Sequence, residues 1–135
     1  MAELSILGVI LAAVVNMILG MIWYHPKVFG QKWMDLLGFK KKDLKMNKNE
    51  MRQTYAWAVI MSLATAWVLA YVIVLSETAG FVGGAFIGFL MWLGFVMTTS
   101  ANEVLWAKRH RDLYWLNNSF HLVSFVVMGG LLGLI

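Results

Sequence analysis

Few side chains in this sequence can do chemistry, and those that can are concentrated. The chain has no cysteine, which removes disulfides, thiolate nucleophiles and cysteine metal sites. No metal-ligand spacing, nucleophile motif or phosphate-cradling glycine loop is present. What stands out is a set of polar residues inside otherwise apolar sequence: Asn16, then Asn102 and Glu103, then Asn117, Asn118 and His121. Asn117 and His121 are four apart and Ser124 is three further on, so on a helix the three share a face. His121 and Glu103 are the pair that could move protons, as base and acid. Glu103 is also the residue that could give a water-filled vestibule a preference for cations.

The elements that position these groups follow from composition. Of 135 residues, 61% are apolar and 13% charged, and mean hydropathy is +0.72. A soluble domain carries roughly a quarter charged residues, and a disordered chain cannot be this apolar. Four runs contain no Asp, Glu, Lys or Arg: Leu4–Tyr24, Tyr55–Ser76, Phe81–Ala101 and Leu113–Ile135. At ~1.5 Å per helical residue each covers the ~30 Å of a bilayer's hydrocarbon core. A backbone in lipid must satisfy its own polar groups, so each run is expected to be a helix. The first is not a signal peptide, because no basic residue precedes it and the apolar run is too long.

The expected fold class is therefore all-α: one polytopic membrane domain over residues 1–135. Its four transmembrane helices run at about 4–24, 55–76, 81–106 and 113–135. A short amphipathic helix is expected in the interface at about 27–38, after the first span, where Phe29, Trp33, Leu36 and Leu37 share a face and Gly38 ends it. Asn47 to Glu50 can cap the helix entering the second span.

All 11 basic residues fall in two loops on one side. Lys27, Lys32, Lys40, Lys41, Lys42, Lys45, Lys48 and Arg52 lie between spans one and two, and Lys108, Arg109 and Arg111 between spans three and four. The positive-inside rule places both loops in the cytoplasm and both termini outside, in the cytoplasmic membrane. Lys40, Lys41 and Lys42 suit anionic lipid, at about 1 kcal/mol per charge. Nucleic acid is not an expected partner.

One stretch resembles a known family. The pattern Gly20-x-x-Trp23-Tyr24-x-Pro26-x-x-Phe29-Gly30-x-x-Trp33 is similar to the signature of domain-of-unknown-function family 1761, small prokaryotic membrane proteins with four spans. The resemblance implies that architecture and carries no activity, cofactor or catalytic residue. Physically, Trp23 and Tyr24 suit the headgroup level, Pro26 ends the span, and Phe29 and Trp33 bring rings back to the interface. The segment is either a structural elbow or a lid hinged at His25.

Small residues recur every four positions: Gly8, Ala12, Asn16 and Gly20; Ala58, Ser62, Ala66 and Ala70; Gly80, Gly84 and Gly88; Gly129 and Gly133. In lipid such stripes supply the close approach that holds helices together. They could pack within the chain or form a subunit interface, and self-association is expected.

Asn16 and His121 lie eight residues inside their spans, ~12 Å deep, with Thr98 and Thr99 at similar depth. Asn16, Ser62 and Thr98 are read as interhelical hydrogen bonds. Asn102, Glu103, Asn117, Asn118 and His121 are either such glue or a polar funnel open to the cytoplasm, and Glu103 is alternatively an ordinary interfacial acid paired with Lys108 or Arg109. Neither metal nor cofactor is expected: His25, at a span end, and His121 cannot share a haem. The expected function is an oligomeric channel or transporter-like protein with a cytoplasm-facing polar vestibule. The alternative is a structural or accessory subunit that packs through its glycine stripes. An intramembrane enzyme fits least well.

Overall fold

The computed structural model describes residues 4–38, 47–108 and 110–135, and among them every regular element is helical. Helix α1 spans Ile6–Trp23, α2 Gln31–Leu37, α3 Lys48–Leu75, α4 Phe81–Leu105 and α5 Arg111–Leu134. Four of these, α1, α3, α4 and α5, are long and apolar enough to cross a membrane. The protein is a multi-pass membrane protein. The run Lys40, Lys41 and Lys42, expected at anionic lipid, lies outside the described residues.

Local sequence sets the helix ends. Ser5 Oγ accepts the Gly8 N–H at 3.0 Å. Asn47 Oδ1 accepts the Glu50 N–H at 2.7 Å while Asn47 Nδ2 donates back to Glu50 Oε1 at 3.2 Å. This reciprocal cap starts α3 at Lys48, two turns before its charge-free run begins at Tyr55. His110 Nδ1 accepts the Asp112 N–H at 3.0 Å and opens α5. Gly38, in the left-handed region at φ 75°, closes α2.

Helix α5 is the hub and contacts α1, α2, α3 and α4. Its widest interface is with α4, and glycines make that possible. A Cβ on Gly84 would lie 2.0 Å from the Gly129 carbonyl oxygen, and one on Gly88 2.1 Å from that of Phe125. Gly80 N donates to the Gly133 carbonyl at 2.9 Å, so the backbones meet directly. The stripes Gly80, Gly84, Gly88 and Gly129, Gly133 are thus joined to each other inside the chain, and another copy would have to dock elsewhere. On the other side, Ala12, Ala13, Ala66, Leu69, Ala70, Ile73, Met128 and Leu132 form the buried core shared by α1, α3 and α5.

Helix α4 is not uniform. Residues Trp92–Met97 form a π turn, which tilts carbonyls out of the usual ladder. Four hydroxyls answer them: Thr98 takes the Gly94 carbonyl at 2.7 Å, Thr99 that of Phe95, Ser100 that of Val96 at 2.6 Å, and Tyr114 that of Met97 at 2.8 Å. In a water-free environment these bonds are what makes a wide turn tolerable. Thr98, expected to bond between helices, bonds instead within its own helix.

Candidate functional site

The end of the bundle that carries the interhelical loops holds the polar cluster. There the Gly20–Trp33 motif builds an elbow, and each of its residues has a visible task. Gly20 packs against Phe120, whose ring lies 3.5 Å from where a Cβ would stand, an ordinary contact distance. Pro26 starts a one-turn π segment, Pro26–Gly30, capped by His25 Nδ1 accepting the Lys27 N–H at 3.1 Å. Gly30 N donates to the His25 carbonyl at 2.9 Å, and a Cβ on Gly30 would fall 2.2 Å from the Tyr24 carbonyl oxygen. Trp23 meets Phe29 at a ring separation of 4.6 Å, and Tyr24 meets Trp33 at 5.5 Å and Phe120 at 5.4 Å. These contacts fold α2 back onto α5 and bury Met34. His25, exposed, serves as a cap.

The elbow reaches the cluster through one bond: the Tyr24 hydroxyl donates to Asn117 Oδ1 at 2.6 Å. That leaves Asn117 Nδ2 without a partner among the described residues. Asn118 is 2% exposed and fully engaged. Its Nδ2 donates to the Tyr114 carbonyl at 2.9 Å, its Oδ1 lies 3.0 Å from Ser100 Oγ, and its carbonyl accepts the Trp92 indole N–H at 2.9 Å. Asn118 therefore locks α5 to the π turn of α4.

Ser100, Glu103, Tyr114, Asn117, Asn118 and His121, with Val104 and Leu113, line a cavity of about 150 Å³. Among the described residues three of its polar groups have no hydrogen-bond partner: the carboxylate of the exposed Glu103, Asn117 Nδ2 and the His121 imidazole. Among the described residues no Lys or Arg lines it, and Glu103 is its one carboxylate.

Asn16 lies in a different place. Its Nδ2 donates to Ser62 Oγ at 2.7 Å, and its Oδ1 accepts the Ser124 hydroxyl. This side chain ties α1 to α3 and α5 and forms the floor of a second cavity, of about 260 Å³. The two cavities share one residue, His121. Asn102 is exposed and lines neither cavity. Of the six polar residues singled out in the sequence, the structure thus gathers four around one space, puts Asn16 in the next and leaves Asn102 outside. Ser100 and Tyr114 went unnoticed because an isolated hydroxyl in a span carries no periodic signal.

No group of three or more His, Asp or Glu able to hold a metal occurs among the described residues. No curated protein matches the sequence and no solved structure matches the fold. A family model described as a protein of unknown function, DUF1761, matches residues 7–133. That match covers nearly the whole chain, including the elbow and all four long helices, and so the chain belongs to the DUF1761 family.

Proposed function

We propose that the protein is a transporter-like membrane protein whose polar vestibule opens to the cytoplasm and receives a small hydrophilic cation. One observation carries this reading: Glu103, Asn117 and His121 line a single cavity, each with a polar group that has no hydrogen-bond partner among the described residues, and none of those residues lining it is Lys or Arg. Packing alone needs no such surplus, since polar groups within a membrane are costly and are normally paired. The lone carboxylate sets the sign of the solute. All 11 basic residues fall between the charge-free runs of α1 and α3 or of α4 and α5, which supports a cytoplasmic mouth.

The vestibule is complete within one chain, so the reading does not require a second copy. The opposite end holds a further cavity of about 330 Å³ beside Gly80 and Gly133, and the buried core of Ala12, Ala66, Leu69 and Met128 lies within the bundle. Movement across the membrane must therefore involve a change in that core or a route to the side. The accessory-subunit alternative loses its main support, because the α4 and α5 glycine stripes it would use are occupied within the chain.

The test is radioactive rubidium uptake into proteoliposomes under a potential negative inside. Uptake above protein-free vesicles is expected. Glu103→Gln should lower it about ten-fold, the equivalent of one charge-assisted contact. Uptake equal to empty vesicles, or unchanged by Glu103→Gln, contradicts the proposal.

A further inference from the structure

The second cavity lies where α3 and α4 part. The two helices pack together along Phe81–Met91, but α3 makes no comparable contact with α4 from Trp92 onward. The gap is floored by α1 and α5 and edged by Met61, which is 54% exposed, and by Val96. In a bilayer such a gap faces lipid, not water.

Its lining is of two kinds. Met61, Val96, Phe120, Phe125 and Met128 are apolar, and the two methionines are flexible enough to fit around varied shapes. Asn16, Ser62, Ser124 and Thr65 are polar but already bonded, the first three to one another and Thr65 to the Met61 carbonyl at 2.9 Å. His121 is the exception: its imidazole has no hydrogen-bond partner among the described residues. Among the described residues no Asp, Glu, Lys or Arg lines the space, so a charged guest would lose its hydration without a counter-ion from them. An imidazole presents a donor at one nitrogen and an acceptor at the other, which suits a hydroxyl or carbonyl.

We infer that the cleft between α3 and α4 is a lipid-side binding site for a neutral amphiphile, with its hydroxyl or carbonyl head against His121 and its hydrocarbon tail running out past Met61 and Val96. The inference builds on the vestibule reading only through the shared His121, and either can fail without the other. If both hold, His121 is the meeting point of a water-side and a lipid-side entrance.

The test uses two photoreactive probes of equal length, a diazirine-bearing octanol and a diazirine-bearing octane, added to the protein in nanodiscs. Adducts are mapped by mass spectrometry. The alcohol should favour Met61, Val96 and Phe125 over the lipid-facing Val68 about five-fold more than its hydrocarbon twin does, the effect of one neutral hydrogen bond. Excess unlabelled octanol should remove that preference. His121→Leu should abolish it, and His121→Gln, which keeps a donor and an acceptor, should retain it, provided both variants remain monodisperse. Equal labelling by alcohol and alkane would mean a groove for any acyl chain, absence of cleft adducts with both probes would mean a covered face, and a preference surviving His121→Leu would remove the imidazole from the site. Each of these outcomes overturns the inference. Water accessibility of position 117, measured separately with a membrane-impermeant maleimide, reports on the vestibule alone.

Discussion

The hydroxyl of Tyr24 donates to Asn117 Oδ1 at 2.6 Å across 93 residues of sequence. This bond couples the end of α1, and with it the whole elbow, to the wall of the cavity lined by Asn117. Because Oδ1 is held by the phenol, Asn117 Nδ2 is left pointing to other use. Tyr24→Phe should cost about 0.6–1.5 kcal/mol in unfolding free energy. A double-mutant cycle with Asn117→Leu should return a coupling of similar size, and a coupling near zero would show the bond to be energetically idle.

The glycine seam predicts opposite outcomes for two similar substitutions. Gly84→Ala places a methyl group 2.0 Å from the Gly129 carbonyl oxygen, and α4 must move away from α5. A loss of about 1–3 kcal/mol is expected. Gly94→Ala meets nothing within 4 Å and should be neutral or stabilising by up to about 1 kcal/mol. Thermal denaturation in detergent compares the two directly.

The π turn in α4 rests on side-chain hydroxyls. Ser100→Ala removes the single O–H that the Val96 carbonyl and Asn118 Oδ1 share. Thr98→Val removes only the partner of the Gly94 carbonyl on an exposed face. The serine change should cost more, about 1–2 kcal/mol against less than about 1. Equilibrium unfolding of the two variants checks the order.

The elbow needs the absence of a side chain at position 30. In Gly30→Ala the new Cβ would be 2.2 Å from the Tyr24 carbonyl oxygen, so the turn must open and α2 must lift from α5. Lys27 and Lys32, on either side of the turn, should then be cut by trypsin faster than in the unaltered protein. An unchanged cleavage rate at both lysines would contradict this role.

The membrane-crossing architecture was legible because it rests on a long-range average. Four charge-free runs of about 21–23 residues cannot be anything but buried in lipid. The elbow was legible as a motif, but its wiring was not. Nothing local in the sequence says that Tyr24 reaches Asn117 or that Gly20 packs against Phe120. The glycine stripes announced close approach without naming the partner, and the choice between Gly84 on Gly129 and Gly84 on another copy is a matter of tertiary geometry. The π turn left no trace in the pattern, since Thr98, Thr99 and Ser100 look like any polar step in a span. Depth grouped Asn16 with His121, and the two do line one cavity; His121 alone also faces the other. Asn102 shares its neighbour's polarity but, one residue before Glu103, points about 100° away around the helix.

If the proposed vestibule is hydrated, water from the end that carries the basic residues reaches His121, some 12 Å below the surface, while the core beyond it stays dry. The chain has no cysteine, so single thiols can be read without background. The decisive measurement is the labelling rate of His121→Cys by a membrane-impermeant maleimide in inside-out vesicles, beside Gln53→Cys on the exposed start of α3 and Ala66→Cys in the buried core. The account predicts labelling at 53 and 121 and none at 66. A thiol at 121 as inert as the one at 66 would contradict it.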